Sequence, residues 1–224
     1  MGNLPKHIAL IPDGNRRWAR EKGLPTFEGH RRGFNRVKEL ATKVKELGIA
    51  IFTVWAFSTE NWNRTKEEVD YLMGIYEEWI DENLTEALKD QTRIIHIGRK
   101  DRIRKSLKDK LANAEEKTKN FNKQYFVVAL DYGGRDEVLR AIEKNKGKTD
   151  EKTLSKLLDT HDLPYPNPDI VIRTSGEQRT SGFMIWQAAY AEYFFVKKYL
   201  PDFTAVDLEA CIKEYSHRER RFGK

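Results

Sequence analysis

Short apolar runs alternate with longer stretches of helical periodicity along this chain. The first run, Ile8-Ala9-Leu10-Ile11, stops at Pro12-Asp13-Gly14-Asn15, and Arg16, Arg17, Trp18 and Ala19 then begin a helix-compatible pattern that Gly23 and Pro25 end. Residues 30–47 place Phe34, Val37, Leu40, Ala41, Val44 and Leu47 on one stripe opposite Arg, Lys and Glu, with Gly48 as the stop. Residues 51–57 read as a strand covered on both faces, and 58–64 as a polar loop holding one large aromatic, Trp62. Thr65-Lys66-Glu67-Glu68 has the form of a capping box. It opens a long helix in which Val69, Leu72, Met73, Tyr76, Ile80, Leu84 and Leu88 recur at helical spacing.

The same reading predicts strands at 93–98, 125–130, 169–173 and 192–196. It predicts helices at about 103–119, with Leu107, Leu111 and Ala114 inward, at 136–144, at about 154–158, and at about 206–220. Asp131-Tyr132-Gly133-Gly134 is read as a turn, 163–168 as a proline-punctuated connection, and 218–224 as a basic tail. No internal repeat or low-complexity segment interrupts the alternation. Strand-helix alternation predicts an α/β fold: one domain over 1–224, a largely parallel six-stranded sheet flanked by helices. Ligands of such sheets bind beyond the strands' carboxyl ends, where three loops here are polar and basic: 13–17, 58–64 and 173–181.

Composition narrows the partners. With 39% hydrophobic and 11% aromatic residues in 224, the chain can bury a core and is not a disordered one. Its 34% charged residues and the lack of any apolar run near the ~20 residues that cross a bilayer argue against a membrane span. The first residues lack a cleavable signal pattern, and Lys6 spoils a myristoylation site after Met1-Gly2, so a cytoplasmic location is expected. The lone Cys211 allows no intrachain disulfide and is expected to be a buried small hydrophobe. A net charge of +6 favours anionic partners, whether phosphorylated substrates, nucleic acid or a membrane surface.

The first loop makes one of these concrete. Gly14 permits close backbone approach, the Arg16 and Arg17 forks suit phosphate oxygens, and Asp13 would repel phosphate unless a cation lay between them. The combination suggests a diphosphate bridged to Asp13 by Mg2+, which takes oxygen ligands. The same letters also make a plain turn, with Asp13 as a helix cap and the arginines on a solvated face.

Seven ordered segments decide between these readings: PDGNRRWA (12–19), GHRRG (29–33), AFSTENWNR (56–64), DYGGR (131–135), IRTSGEQRTSGF (172–183), WQAAYAE (186–192) and RERRFG (218–223). Over nearly its whole length the chain resembles the cis-prenyltransferases of the undecaprenyl diphosphate synthase type. The resemblance implies that family's fold, with Mg2+ as cofactor and isopentenyl diphosphate and an allylic diphosphate primer as substrates. By resemblance, Asp13 holds metal and diphosphate. Gly14, Asn15, Arg16, Arg17 and Trp18 form the allylic subsite, with His30 and Arg64 nearby. Ser58, Thr59, Glu60, Asn61 and Trp62 fall on a mobile loop, with Asn61 taking part in proton removal or orienting the groups that do. Arg173, Arg179, Thr180 and Ser181 belong to the isopentenyl diphosphate subsite, and Glu192 is a second acidic group at the metal. Arg221-Phe222-Gly223 matches a motif that reaches a neighbouring subunit, which implies a homodimer.

The chain departs from relatives at Thr26, Gln178 and Gly182, which leaves the primer open. Product length in such enzymes follows an apolar tunnel, and Val44, Leu47, Val54, Leu72, Tyr76 and Trp79 are its candidate walls, although core packing would select the same letters. Their bulk points to a short or medium product, and a polyprenyl product leaves room for peripheral membrane contact. The rivals are a non-catalytic partner subunit of the same family, which Asp13, Asn15, Arg16 and Arg17 argue against, and a basic nucleic-acid-binding module, supported by charge alone. No nucleic acid partner is expected.

Overall fold

A computed structural model describes residues 4–218. Its six strands are β1 (His7–Ile11), β2 (Ile51–Ser58), β3 (Thr92–Ile97), β4 (Gln124–Tyr132), β5 (Ile170–Arg173) and β6 (Glu192–Phe195). All five pairings are parallel, in the order β3-β4-β2-β1-β5-β6. The helices are α1 (Asn15–Glu21), α2 (Thr26–Glu46), α3 (Lys66–Lys89), α4 (Lys105–Thr118), α5 (Gly134–Lys144), α6 (Glu151–Ser155) and α7 (Ala205–His217).

Alternate strand residues feed two apolar layers. Ile8, Leu10, Phe52, Val54, Phe126, Val128, Ile170 and Ile172 face α2, α3, α4 and α7, while Ala9, Ile11, Ile51, Val127, Ala129 and Val171 pack on Phe183, Met184 and Ala188. That two-sided burial is why the strands read as continuous apolar runs. Cys211 is buried as expected. Among the described residues no helix is long and apolar enough to cross a membrane.

Several boundaries differ from the periodicity, each for a local reason. Helix α2 begins at Thr26, ahead of residue 30, because Pro25 starts it with a fixed φ of −59°. Residues 59–63 are a 3-10 helix and not open loop: Ser58 and Asn61 cap it reciprocally. Strand β4 continues through Asp131 and Tyr132 since Tyr132 still pairs with Ser58, while Asp131 bends the backbone at φ 50°. Helix α5 correspondingly starts at Gly134, and α6 lies ahead of the expected 154–158 because Asp150 caps it on Thr153. Leu88, predicted inward on α3, is 38% exposed; Ala87 takes the buried position. The capping box at Thr65 is only half formed. Thr65 accepts the Glu68 backbone N–H, but no return bond from the Glu68 carboxylate is made.

Candidate active site

The sheet order places β1 between β2 and β5, so the chain leaves the carboxyl end of β1 at a point where its neighbours run off in opposite directions. The loops after β1 and β5 are tied together there. The Asp13 N–H donates to Thr174 Oγ1 at 2.8 Å, and Thr174 Oγ1 donates to the Asp13 carbonyl at 2.7 Å. Gly14, at φ 102°, is the residue before α1, with no side-chain cap; a Cβ there would sit 2.5 Å from Tyr199 Cδ1. Asp13 is therefore not the helix cap that a plain turn would make of it.

Its carboxylate faces cations. Arg173, 5% exposed, donates from Nη2 to Asp13 Oδ2 at 2.9 Å, and Arg17 donates from Nη2 to Asp13 Oδ1 at 3.2 Å. Burial alone would push the Asp13 carboxyl up; the Arg173 hydrogen bond and charge, then the Arg17 charge, outweigh it and hold the group below the usual carboxylate range. Arg17 also reaches Glu177 at 2.7 Å and Ser175 Oγ at 2.6 Å, and Arg173 donates to Ser181 Oγ at 2.9 Å. Arg173 Nε is buried without a hydrogen-bond partner, as is Asn15 Oδ1, so this region is polar beyond what its own contacts satisfy.

Behind this mouth lies a cavity of about 460 Å3 between α2, α3 and the sheet. Asp13, Asn15, His30, Ser58, Glu60, Asn61, Arg64, Arg173 and Ser181 line its polar part; Phe34, Val37, Val54, Leu72, Tyr76, Trp79, Phe126 and Val128 line its apolar part. An outer hollow adds Gly14, Arg16, Arg17 and Thr26 to Asp13, Asn15, His30 and Arg64. A polar, cationic mouth opening on an apolar chamber suits a molecule with an anionic head and a hydrocarbon tail.

His30 Nε2 lies 3.3 Å from Glu68 Oε1, to which Arg64 Nη1 donates at 3.0 Å, and Arg16 Nη1 is 3.7 Å from Glu68 Oε2. Burial, then the Arg64 charge, lowers the His30 pKa against the pull of Glu68. At Asn61 the side-chain oxygen accepts the Ser58 N–H at 3.1 Å, which leaves the NH2 group as the end available to a ligand. Asn61, Ser58 and Glu60 line the cavity from the 3-10 helix.

Other sequence-predicted residues are placed elsewhere. Trp18 is buried, donates to Asp202 Oδ1 at 2.9 Å and lines neither the cavity nor the outer hollow. Trp62 donates to Asp131 Oδ1 at 2.9 Å and packs edge-on against Phe57; neither it nor Thr59, whose Oγ1 fills the space beside Gly133, lines the cavity. Arg179 is exposed and pairs with Glu177, and Thr180 Oγ1 accepts the Gly182 N–H at 3.4 Å. Glu192, expected as a second acidic group at the metal, stands apart from Asp13 in this chain. It opens β6 in register with Ile170 and Ile8, two strands across and three residues before Ile11, about 10 Å in each direction, and it binds Arg218 at 2.7 Å. Of the tunnel candidates Val54, Leu72, Tyr76 and Trp79 line the cavity. Val44 instead lines a smaller hollow beyond Trp79, and Leu47 lines neither. Arg221-Phe222-Gly223 lies outside the described residues.

Sequence reading missed Glu68, Glu177 and Ser175 as partners of the arginines. Glu68 carried a signal of the wrong kind, since its letter also completes a capping box.

A bound metal would find two carboxylates in the polar lining, Asp13 and Glu60; no group of three or more His, Cys, Asp or Glu side chains that could hold an ion occurs among the described residues. That donor set fits an ion carried largely by a phosphorylated ligand, not one caged by protein.

Comparison with known proteins agrees in kind. Residues 11–223 match the prenyltransferase family model described as "Putative undecaprenyl diphosphate synthase". An isoprenyl transferase of Thermotoga maritima is 43% identical, the match covering 98% of this chain and 97% of that protein. A tritrans,polycis-undecaprenyl-diphosphate synthase (geranylgeranyl-diphosphate specific) of Pyrococcus horikoshii is 44% identical over 100% of this chain and 88% of its own. Lavandulyl diphosphate synthase from Lavandula x intermedia, solved in complex with dimethylallyl diphosphate, superposes with a TM-score of 0.95 at 36% identity, covering 99% of both chains.

Proposed function

The chain belongs to the prenyltransferase family of undecaprenyl diphosphate synthases, and from that premise we propose that it condenses isopentenyl diphosphate with an allylic diphosphate to give a Z-polyprenyl diphosphate. The observation that carries this reading is Asp13, held ionised under Arg173 and Arg17 at the mouth of an apolar chamber. Ionising an allylic C–O bond requires stabilisation of the departing diphosphate and a wall that offers the cation no water. In this reading Arg16, His30 and Arg64 bind that diphosphate, Arg173 and Ser181 bind the second substrate's, and Phe34, Val54 and Leu72 exclude water from the hydrocarbon; all of them line the cavity or its outer hollow. Mg2+, held by Asp13 together with substrate phosphates, would supply charge neutralisation of the leaving group. The Asn61 NH2 orients a diphosphate oxygen beside the proton to be lost.

We propose a product in the short or medium range, because Trp79 stacked on Phe126 lines both the apolar chamber and a second, smaller hollow and so stands between them. A homodimer is part of the same reading and rests on family resemblance.

The deciding experiment is condensation of labelled isopentenyl diphosphate with C5, C10, C15 and C20 primers in the presence of Mg2+, with the products sized. Asp13→Ala is expected to cut turnover by about 10²-fold or more at saturating Mg2+. Near-normal turnover would overturn the assignment of Asp13, and competition by oligonucleotide but not by diphosphate would favour the nucleic-acid alternative.

A further inference from the structure

Glu68 enters the proposed function nowhere, yet two guanidinium groups and an imidazole from three different elements converge on it. Arg64 reaches Oε1 at 3.0 Å from the loop before α3, His30 reaches Oε1 at 3.3 Å from α2, and Arg16 approaches Oε2 at 3.7 Å from α1. The Glu68 side chain is only 14% exposed. It has the helix position from which a carboxylate turns back to the cap residue's N–H, and that return bond is not made. Glu68 itself does not line the cavity or the outer hollow, whereas His30 and Arg64 line both and Arg16 the outer one. The carboxylate thus stands behind the cations, on the side away from where a ligand would sit.

We infer that Glu68 is a positioning residue for the allylic subsite: it locks Arg16, His30 and Arg64 into one anion-binding unit, and its negative charge weakens that unit's hold on a diphosphate so that product can leave. The inference rests on the reading of the mouth as a diphosphate site. It ascribes two separable effects to one carboxylate. Reach and shape orient the guanidinium forks toward the ligand. Charge, a few Å behind them, opposes any anion in front.

Two variants separate the effects. Glu68→Gln keeps size and one acceptor oxygen but removes the charge; Glu68→Asp keeps the charge but is one methylene too short to hold all three partners. Inorganic pyrophosphate, titrated calorimetrically into the whole chain, is the probe. Glu68→Gln is expected to bind it about three- to tenfold more tightly at low salt, with the gain shrinking as NaCl rises toward 1 M, as a partly screened charge requires. Glu68→Asp is expected to bind it more weakly. In steady state Glu68→Gln lowers both KM for the allylic primer and kcat, since the diphosphate-bearing product leaves more slowly.

A residue that merely completes helix α3 would move both variants the same way, so shifts of one sign, or a Glu68→Gln affinity unchanged or weaker, overturn the inference. Should Glu68→Asp fail to fold, the direction of Glu68→Gln decides alone. Failure of the underlying reading looks different: the unaltered protein would not bind pyrophosphate, or Arg64→Ala would bind it equally well.

Discussion

A side-chain amide has one accepting end and one donating end, and at Asn61 the accepting end is already committed. Its oxygen holds the Ser58 N–H, closing the 3-10 turn on which Ser58, Glu60 and Asn61 reach the cavity. A group in that state donates; it does not abstract a proton. Two substitutions should therefore rank in opposite orders in two assays. Asn61→Asp preserves the acceptor for Ser58, keeping thermal stability near that of the parent, but replaces the donor with a charge that repels diphosphate. Asn61→Ala loses the cap, at about 1 kcal/mol, yet adds no repulsion. Melting curves should favour Asp over Ala, and turnover should favour Ala over Asp. His7 gives a second residue-level expectation. It is fully buried, with Nδ1 2.8 Å from the Tyr165 carbonyl and Nε2 2.7 Å from Thr53 Oγ1, and burial pulls its pKa from 6.5 to about 4. Between those values the unfolded chain binds a proton that the folded one refuses, so stability falls as pH drops through that window. The full effect is about 3 kcal/mol below pH 4. Denaturant unfolding at pH 7 and pH 5 should show the loss, and His7→Gln should remove its share of it.

Helices α1 and α2 meet through two glycines four residues apart. A Cβ on Gly29 would lie 2.1 Å from the Asn15 carbonyl oxygen, and one on Gly33 2.4 Å from Asn15 Oδ1. The GHRRG segment is thus a slot for the start of α1, and His30 between the glycines turns into the cavity. Gly29→Ala must push α1 away from α2. The expected cost is about 1–3 kcal/mol, with a raised KM for the allylic substrate, because Arg16 and Arg17 ride on α1. Chemical denaturation and initial rates would measure both. What was legible at this scale follows from periodicity. The stripes of α2 and α3, the two-sided apolar strands and the polar loops at their carboxyl ends announce themselves because burial repeats every 3.6 or 2 residues. The 3-10 turn at Thr59–Asn63 has no such repeat, and Asp131-Tyr132 looked like turn chemistry although both residues complete β4. Glu68 was misread because a cap and an ion-pair hub use the same letter. Trp18 and Trp62 stand inside the motifs but spend their N–H groups on Asp202 and Asp131. No local pattern reports such distant partners, and the sheet register that separates Glu192 from Asp13 is likewise a property of topology.

Taken whole, the molecule is a parallel sheet with a chamber trapped between one of its faces and two helices, and the ends of that chamber are chemically unlike. Polar groups at strand ends, helix starts and the turns between them make the mouth, while ring against ring makes the floor: Trp79 from α3 lies on Phe126 from β4, ring centroids 4.9 Å apart and 28° from parallel. Both rings also line a second hollow of about 80 Å3 on the other side, walled by Val44, Phe52 and Ala87. The stacked pair is therefore a partition between two spaces, and under the proposed function it would limit how far a growing hydrocarbon extends. The Trp79 Nε1 is buried with no hydrogen-bond partner, so the ring is held by packing alone and its removal breaks no polar contact. Trp79→Ala would leave a large void at about 3–5 kcal/mol, so Trp79→Leu, which keeps an apolar side chain on α3, is the better test. Opening the partition should join the hollows and lengthen the product by one or more isoprene units, with the rate of the first addition little changed because the mouth is untouched. Sizing the polyprenols from labelled isopentenyl diphosphate would measure it. An unaltered product distribution would mean that chain growth is ended by release at the mouth and not by this floor.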